Sequence, residues 1–255
     1  MMSIKNIMIK DIEFFLKNLL FSEKFLLEKR LKRAIKKNYE KELSIIDNFK
    51  NKNKDAVDVG VYRGIYSYKL SNEFKHVHSF EPNPILFPYL KKNLTKIIRN
   101  ISLYNLAASD SNGEINLKIP SRNKSMFKTN YEELYKLGAA TIHAENKIKK
   151  FDSLKVKKVK LDDILNDKII SFIKIDVEGH EKEVIDGSKE IINKNKPTLL
   201  VEIEKRHTGR PVNETIKFIN NLGYNSHYLQ NGKLRSTNDL ENINSENNFI
   251  FLPRK

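Results

Sequence analysis

The chain of 255 residues contains no cysteine, which excludes disulfides and thiolate metal sites. It has no run of about eighteen apolar residues, so no transmembrane helix is expected. Its opening stretch, MMSIKNIMIKDIEFFLKNLLF, is broken by Lys5, Lys10, Asp11, Glu13 and Lys17, which leaves no apolar h-region for a secretory signal. Nor does it carry an internal repeat, a basic module interleaved with aromatics, or the GxGxxG loop of a dinucleotide site. These absences point to a cytoplasmic protein. What the chain has in excess is positive charge, +15 in all. The lysines are spread over the whole length among many Asn and Ile, which reads as compositional bias rather than a nucleic-acid surface, so a nucleic-acid partner is not expected. With 39% hydrophobic residues the chain can build one globular domain with a real core plus an appendage.

Two parts are expected: an N-terminal helical segment over 1–50 and an α/β domain over 51–255. In the first, Ile12, Phe15, Leu16, Leu19 and Leu20, then Leu27, Leu31 and Ile35, recur at helical spacing. The polar face is basic, notably at Lys29-Arg30 and Lys32-Arg33. Such a face suits peripheral contact with the inner membrane surface, but a helical cap packed on the domain is the preferred reading.

From Asp55 the pattern alternates. Strands are expected at Ala56–Gly60, His76–Glu81, Ile101–Ala107, Phe172–Val177 and Thr198–Ile203, with a short one at Gly113–Ile119. Helices are expected over Gly64–Ser71, Pro84–Leu94, Glu181–Ile192 and Val212–Leu222. This order implies a parallel sheet with right-handed crossovers. Tyr224–Leu229 and Phe249–Leu252 read as a closing hairpin around the polar stretch Gln230–Asn248. Residues 120–157 are less regular, with a helix expected over Tyr131–Leu137 and a substrate-facing insertion one reading of the whole.

The densest chemistry lies in SFIKIDVEGHE, Ser171–Glu181. An apolar strand ends there in Lys174, Asp176, Glu178, His180 and Glu181, and ligands of open α/β sheets sit outside the carboxyl ends of the strands. At a period of two, Lys174, Asp176 and Glu178 fall on one side. Asp176 is the candidate base, with Lys174 holding its charge and Glu178 supporting it or binding substrate hydroxyls. His180 is the alternative base. Glu181 reads as a cap of the next helix. Glu202, Glu204 and His207 end the neighbouring strand, where solvation explains them as well as a pocket does. No tight ligand cluster is evident, and no metal is expected.

A second constellation precedes it. Asp58-Val59-Gly60-Val61-Tyr62-Arg63-Gly64 follows a strand and opens a helix, so the backbone can approach a ligand. Glu81, 21 positions after Gly60, stands where an acid can accept hydrogen bonds from both ribose hydroxyls of a nucleoside. A nucleoside ligand without a pyrophosphate loop points to S-adenosylmethionine rather than NAD.

In this order the motifs DVGVYRG (Asp58–Gly64), FEPNP (Phe80–Pro84), NLAASD (Asn105–Asp110), KLDDIL (Lys160–Leu165), KIDVEGHE (Lys174–Glu181) and LLVEIE (Leu199–Glu204) resemble the FkbM family of S-adenosylmethionine-dependent methyltransferases. The resemblance implies a class I methyltransferase fold, Rossmann-like, with a seven-stranded, mostly parallel sheet ending in an antiparallel hairpin. It implies methylation of a hydroxyl on a sugar, glycan or other polyhydroxylated metabolite, in bacterial surface polysaccharide or secondary-metabolite biosynthesis. By matching positions, Asp58, Gly60 and Gly64 would cradle the methionine part of the cofactor, Glu81 would hold the ribose, and Asn105 and Ala107 would lie near the adenine. The family commonly has Ala-Asn where this chain has Val61-Tyr62, so Tyr62 would alter cofactor contacts or face the substrate. Two other readings stay open. One is an RNA methyltransferase, favoured only by the net charge; the other is a binding module that has lost catalysis, favoured only by Val61-Tyr62.

Overall fold

In the computed structural model of the chain, residues 20–120, 140–142, 151–209 and 211–254 are described. The helix expected over 131–137 and the apolar positions Ile12 to Leu19 lie outside them. In chain order come α1 (Glu23–Lys36), a 3-10 helix (Lys41–Phe49), β1 (Asp55–Val59), α2 (Ile65–Glu73), β2 (Val77–Phe80), α3 (Phe87–Ile97) and β3 (Ile101–Tyr104). Then follow β4 (Ala107–Ala108), β5 (Gly113–Pro120), β6 (Phe151–Val159), α4 (Leu161–Leu165), β7 (Ile170–Ile175), α5 (Glu181–Asp186), α6 (Lys189–Asn195) and β8 (Thr198–Glu202). The chain ends in α7 (Lys205–Thr208), α8 (Val212–Asn221), β9 (Tyr224–Gln230), β10 (Lys233–Ser236) and β11 (Asn248–Pro253).

The main sheet has the order β10-β9-β11-β8-β7-β1-β2-β3. Strands β8, β7, β1, β2 and β3 run parallel, and β11, β9 and β10 complete it with antiparallel pairings. The central strands are almost wholly buried and rich in Val, Ile, Leu and Phe because helices cover both faces. Alternate side chains feed two separate cores. Val57, Val59, Ile173, Ile175, Leu199 and Val201 pack with Val184, Ile192 and Ile216 of the helices on one face. Ala56, Phe172 and Leu200 pack with Tyr66, Leu70 and Phe74 and with Ile46 of the 3-10 helix on the other.

The sheet has eight strands where seven were expected. The extra one, β10, is pinned by a two-residue turn: Gln230 pairs with Lys233, and Asn231 and Gly232 both take positive φ, 50° and 73°. Asn-Gly is the sequence signal for that turn; it lies inside the stretch read as polar loop. A second sheet, β4-β6-β5, is also separate from the first. Its long middle strand β6 mixes Lys with Leu and Val in LKVKKV, a half-exposed pattern that lies mostly inside the segment read as irregular. The single helix expected over Glu181–Ile192 is two helices. Gly187 lies against the Ser109 carbonyl, where an added Cβ would come within 1.9 Å, and the Asp162 carboxylate accepts the N–H groups of Glu190 and Ile191 at 3.0 Å each, capping α6 afresh.

Of the N-terminal segment, α1 starts at Ser22, whose Oγ accepts the Phe25 N–H at 3.2 Å. It lays Leu27 and Leu31 on Leu90 and Leu94 of α3, and Glu23 meets Lys92 at 2.9 Å. Its lysines face solvent, and Leu20, Phe21 and Phe25 are exposed at its start.

One position holds the sheet's working edge together. Gly60 follows β1 with φ 88°, and a Cβ there would fall 1.9 Å from the Asp176 carbonyl oxygen. Both the left-handed backbone and the contact exclude a side chain. Gly60→Ala is expected to cost about 2–4 kcal/mol of stability, read as a lower urea midpoint; an unchanged midpoint would show that β1 and β7 part freely here.

Candidate active site

The C-terminal ends of β1, β2, β7 and β8 open on one cleft of about 370 Å³, the position that the parallel topology assigns to ligands. Gly60, Glu81, Asp176, Glu178 and Glu202 line its strand side, and Leu106, Ala107, Ala108, Leu117, Ala140 and Ile142 line an apolar wall. That wall is built by β4, β5 and the segment 140–142, which bridges to Lys118 and whose Thr141 hydroxyl donates to the Glu178 carbonyl at 2.7 Å. Glu40, between α1 and the 3-10 helix, and Asn247 and Asn248 complete the lining.

At one end stands Glu81. Its Oε2 accepts the Tyr62 N–H at 2.9 Å and its Oε1 the Asn83 N–H at 3.0 Å. Burial raises its pKa to about 7, against the pull of those two N–H groups. Asn105 does not line the cleft; its amide ties the turn by donating to the Glu81 carbonyl at 2.8 Å and the Pro82 carbonyl at 3.2 Å. Ala107 does line it. Tyr62 lines it too, with φ 47° and the Arg63 guanidinium 4.9 Å from its ring. A bulky residue in the left-handed region is uncommon, and Asn is enriched there, so the family's Asn suits this backbone and Tyr62 occupies it at a cost. Gly64 is the N-cap of α2 at φ 75° and packs on Leu94 behind the cleft.

Asp58 is fully buried behind the lining. It accepts from the Ser67 hydroxyl at 2.5 Å and lies 3.9 Å from Lys174 Nζ. Burial pushes its pKa up to about 6, opposed by Lys174. Lys174 is itself buried and does not reach the lining. Its Nζ donates to Asp176 Oδ2 at 2.9 Å and the Gly60 carbonyl at 3.2 Å, and sits 4.8 Å from the Tyr66 ring centroid. Burial opposes its charge, but Asp176, Asp58 and Glu40 together hold its pKa above the ordinary lysine value.

Asp176 and Glu178 line the cleft, but not through a common strand face. The strand β7 stops at Ile175, and Glu178 turns with φ 55°. His180, the alternative base, is turned elsewhere: its Nε2 is 2.9 Å from the Ser109 hydroxyl and its Nδ1 3.5 Å from Glu183, in a buried position that is not part of the lining. It braces the loop against β4. Glu181 accepts the Gly179 N–H at 2.8 Å and steadies the same loop. Among the described residues no group of three or more His, Asp or Glu is arranged to hold a metal ion. Glu202 is the stronger find. It ends β8 beside Asp176, and the rule that selected Asp176 applies to it equally. Glu40 and Asn247 carry no local signal and are brought in by tertiary packing alone.

The FkbM methyltransferase domain matches residues 58–226, from Asp58 into the start of β9. The chain belongs to the FkbM methyltransferase family. It shares with it a class I methyltransferase fold and S-adenosylmethionine as methyl donor. Similar solved structures include a methyltransferase FkbM from Methylobacillus flagellatus KT, at 15% identity and TM-score 0.49, over 78% of this chain and 43% of that one. The present chain thus spans less than half of that neighbour. An rRNA methylase from Streptococcus thermophilus matches at 12% identity and TM-score 0.48, over 84% of this chain and 95% of that one. A SAM-dependent O-methyltransferase from Thermotoga maritima matches at 14% and 0.44, over 84% and 63%. No curated protein matches the chain.

The lining fits the cofactor. Each oxygen of Glu81 accepts one backbone N–H and keeps a lone pair for a ribose hydroxyl. The apolar wall at Leu106–Ala108 suits a purine, and the carboxylates suit the positive sulfur and amino group. Below pH 7 Glu81 must give up a proton to accept two hydroxyls, so affinity for S-adenosylmethionine is expected to fall by up to about tenfold per pH unit on the acid side and to level off above it. Calorimetric titration between about pH 5.5 and 8.5 measures this. Glu81→Gln should bind more weakly and without that slope; a wild-type affinity that ignores pH would remove Glu81 from the ribose.

Proposed function

We propose that the protein is an O-methyltransferase that methylates a hydroxyl of a sugar, glycan or other polyhydroxylated acceptor. The observation that carries this reading is the pairing, in one cleft, of the diol-accepting carboxylate Glu81 with the lysine-held carboxylate Asp176. S-adenosylmethionine supplies a methyl group on positively charged sulfur, a leaving group that needs no further activation. The enzyme's residues then have two tasks, alignment and proton removal. Asp176, held as an anion by Lys174, takes the proton of the acceptor hydroxyl as its oxygen is methylated. Glu178 and Asn248, also in the lining, can accept and donate hydrogen bonds to neighbouring hydroxyls.

The acceptor class follows from charge. Five acids line the cleft, Glu40, Glu81, Asp176, Glu178 and Glu202, and no lysine or arginine lines it among the described residues. Such a wall repels phosphates and favours a neutral, hydroxyl-rich molecule. It argues against RNA despite the net charge of +15, since backbone binding to nucleic acid needs cations at the contact. Biosynthesis of a surface polysaccharide or secondary metabolite is the setting that supplies such acceptors.

Methyl-labelled S-adenosylmethionine with a panel of neutral sugars and oligosaccharides, beside bulk RNA, tests the proposal. Label should pass to a sugar hydroxyl. Asp176→Asn should lower kcat by about two orders of magnitude and leave cofactor affinity unchanged. Label in RNA, or full activity of the Asn variant, would overturn it.

A further inference from the structure

Asp176 and Glu202 leave adjacent parallel strands at the same height. Ile175 pairs with Val201, so the residues after them emerge side by side, and both line the cleft. Their side chains are near enough for the charge of Asp176 to act on Glu202, and two carboxyls so placed favour holding one proton between them over both being ionised.

The surroundings decide which. Asp176 Oδ2 accepts from the charged Lys174 at 2.9 Å, and Lys174 is itself fixed by Asp58 and the Gly60 carbonyl. Among the described residues Glu202 has no ion pair with a lysine or arginine, and Lys174, bonded to Asp176, acts on it only as a weaker pull than burial and the Asp176 charge. From β11's side Asn247, a neutral amide, donates to its Oε1 at 3.1 Å. The same amide donates to Glu204 at 3.0 Å, and Glu204 already pairs with Arg206. Glu178 adds negative charge from the loop after β7, and Glu40 lines the same cleft from the N-terminal segment. The ion therefore belongs on Asp176 and the proton on Glu202.

We propose that Glu202 is a neutral carboxylic acid that donates its proton to the Asp176 carboxylate and so positions the base of the methyl transfer, an inference that rests on the reading of Asp176 given above. Burial and the charge of Asp176 push the Glu202 carboxyl up to about 10, in the same sense. Through the neutral range the pair holds one proton and one negative charge, balanced by Lys174. When Asp176 takes the proton of the acceptor, the pair holds two and returns one to solvent.

Two measurements on the full chain, without donor or acceptor, test this. In the protein carrying 13C in its Asp and Glu side-chain carboxyls, the Glu202 signal, identified by its loss in E202Q, should stay in the protonated position through neutral pH. Titration near the ordinary glutamate value of 4.5 would overturn the proposal. The second is urea stability against pH. A carboxyl whose folded pKa is raised adds stability below its unfolded pKa and loses it as pH climbs to the folded value. Wild type should thus decline from about pH 4.5 towards 10, while E202Q, whose amide keeps a donor for Asp176 and does not titrate, escapes that decline. The ratio of their folding constants should grow by up to about tenfold per pH unit across the window; a ratio independent of pH would overturn the proposal. Because neither readout requires turnover, a failed search for an acceptor counts against the O-methyltransferase reading and leaves the proton on Glu202 standing or falling by itself.

Discussion

Everything at the mouth of the cleft is arranged around one buried ammonium. Lys174 is 4% exposed, and stripping such a group of water costs several kcal/mol unless partners surround it. Here the partners come from different elements: Asp58 from β1, the Gly60 carbonyl from the loop after it, Asp176 from the end of β7, and the Tyr66 ring from α2. The loop after β1 and the loop after β7 are therefore fastened by the same cation. Gly60 permits this, since its missing side chain lets the Asp176 backbone lie directly against it. Deprotonating Lys174 would free two carboxylates in a space with little water, which is why its charge is held so firmly.

The second organising fact is an inversion of charge. The molecule as a whole is strongly basic, yet the cleft is acidic. The two belong to different scales. Net charge sets solubility and long-range attraction, whereas recognition depends on the few groups within hydrogen-bonding distance of a ligand. The carboxyls of the cleft are not equivalent. Glu81 is poised near neutrality, Asp58 below it, and Glu202 far above the ordinary range. Burial raises all three; hydrogen-bond donors and Lys174 hold Asp58 and Glu81 down, while the charge of Asp176 drives Glu202 further up.

Much of this was legible in the sequence because the relevant features are local. The central strands announce themselves as short apolar runs, and the placement of Glu81, Asp176 and Lys174 at strand ends follows from topology alone. Asn231-Gly232 and strand β6 carried signals that were outweighed by the polarity of their surroundings. Long-range relations were invisible in principle. Nothing in the order of residues says that Asp162 caps a helix 28 positions further on, that His180 turns to Ser109, or that Asn247 reaches Glu202. Those depend on how layers meet, and a periodicity of two predicts nothing once the strand has ended, as Glu178 shows.

The match to the family begins at Asp58, yet Glu40 stands in the cleft wall and Leu43 and Ile46 beside it are seated in the sheet's core. The stretch of chain ahead of the first strand thus shapes both the cleft and the core beneath it. Replacing that stretch would remove one carboxylate from the cleft wall while leaving the strand ends that form the rest of it in place. The shape of the cleft is set partly by a preface to the strands and not by the strands alone.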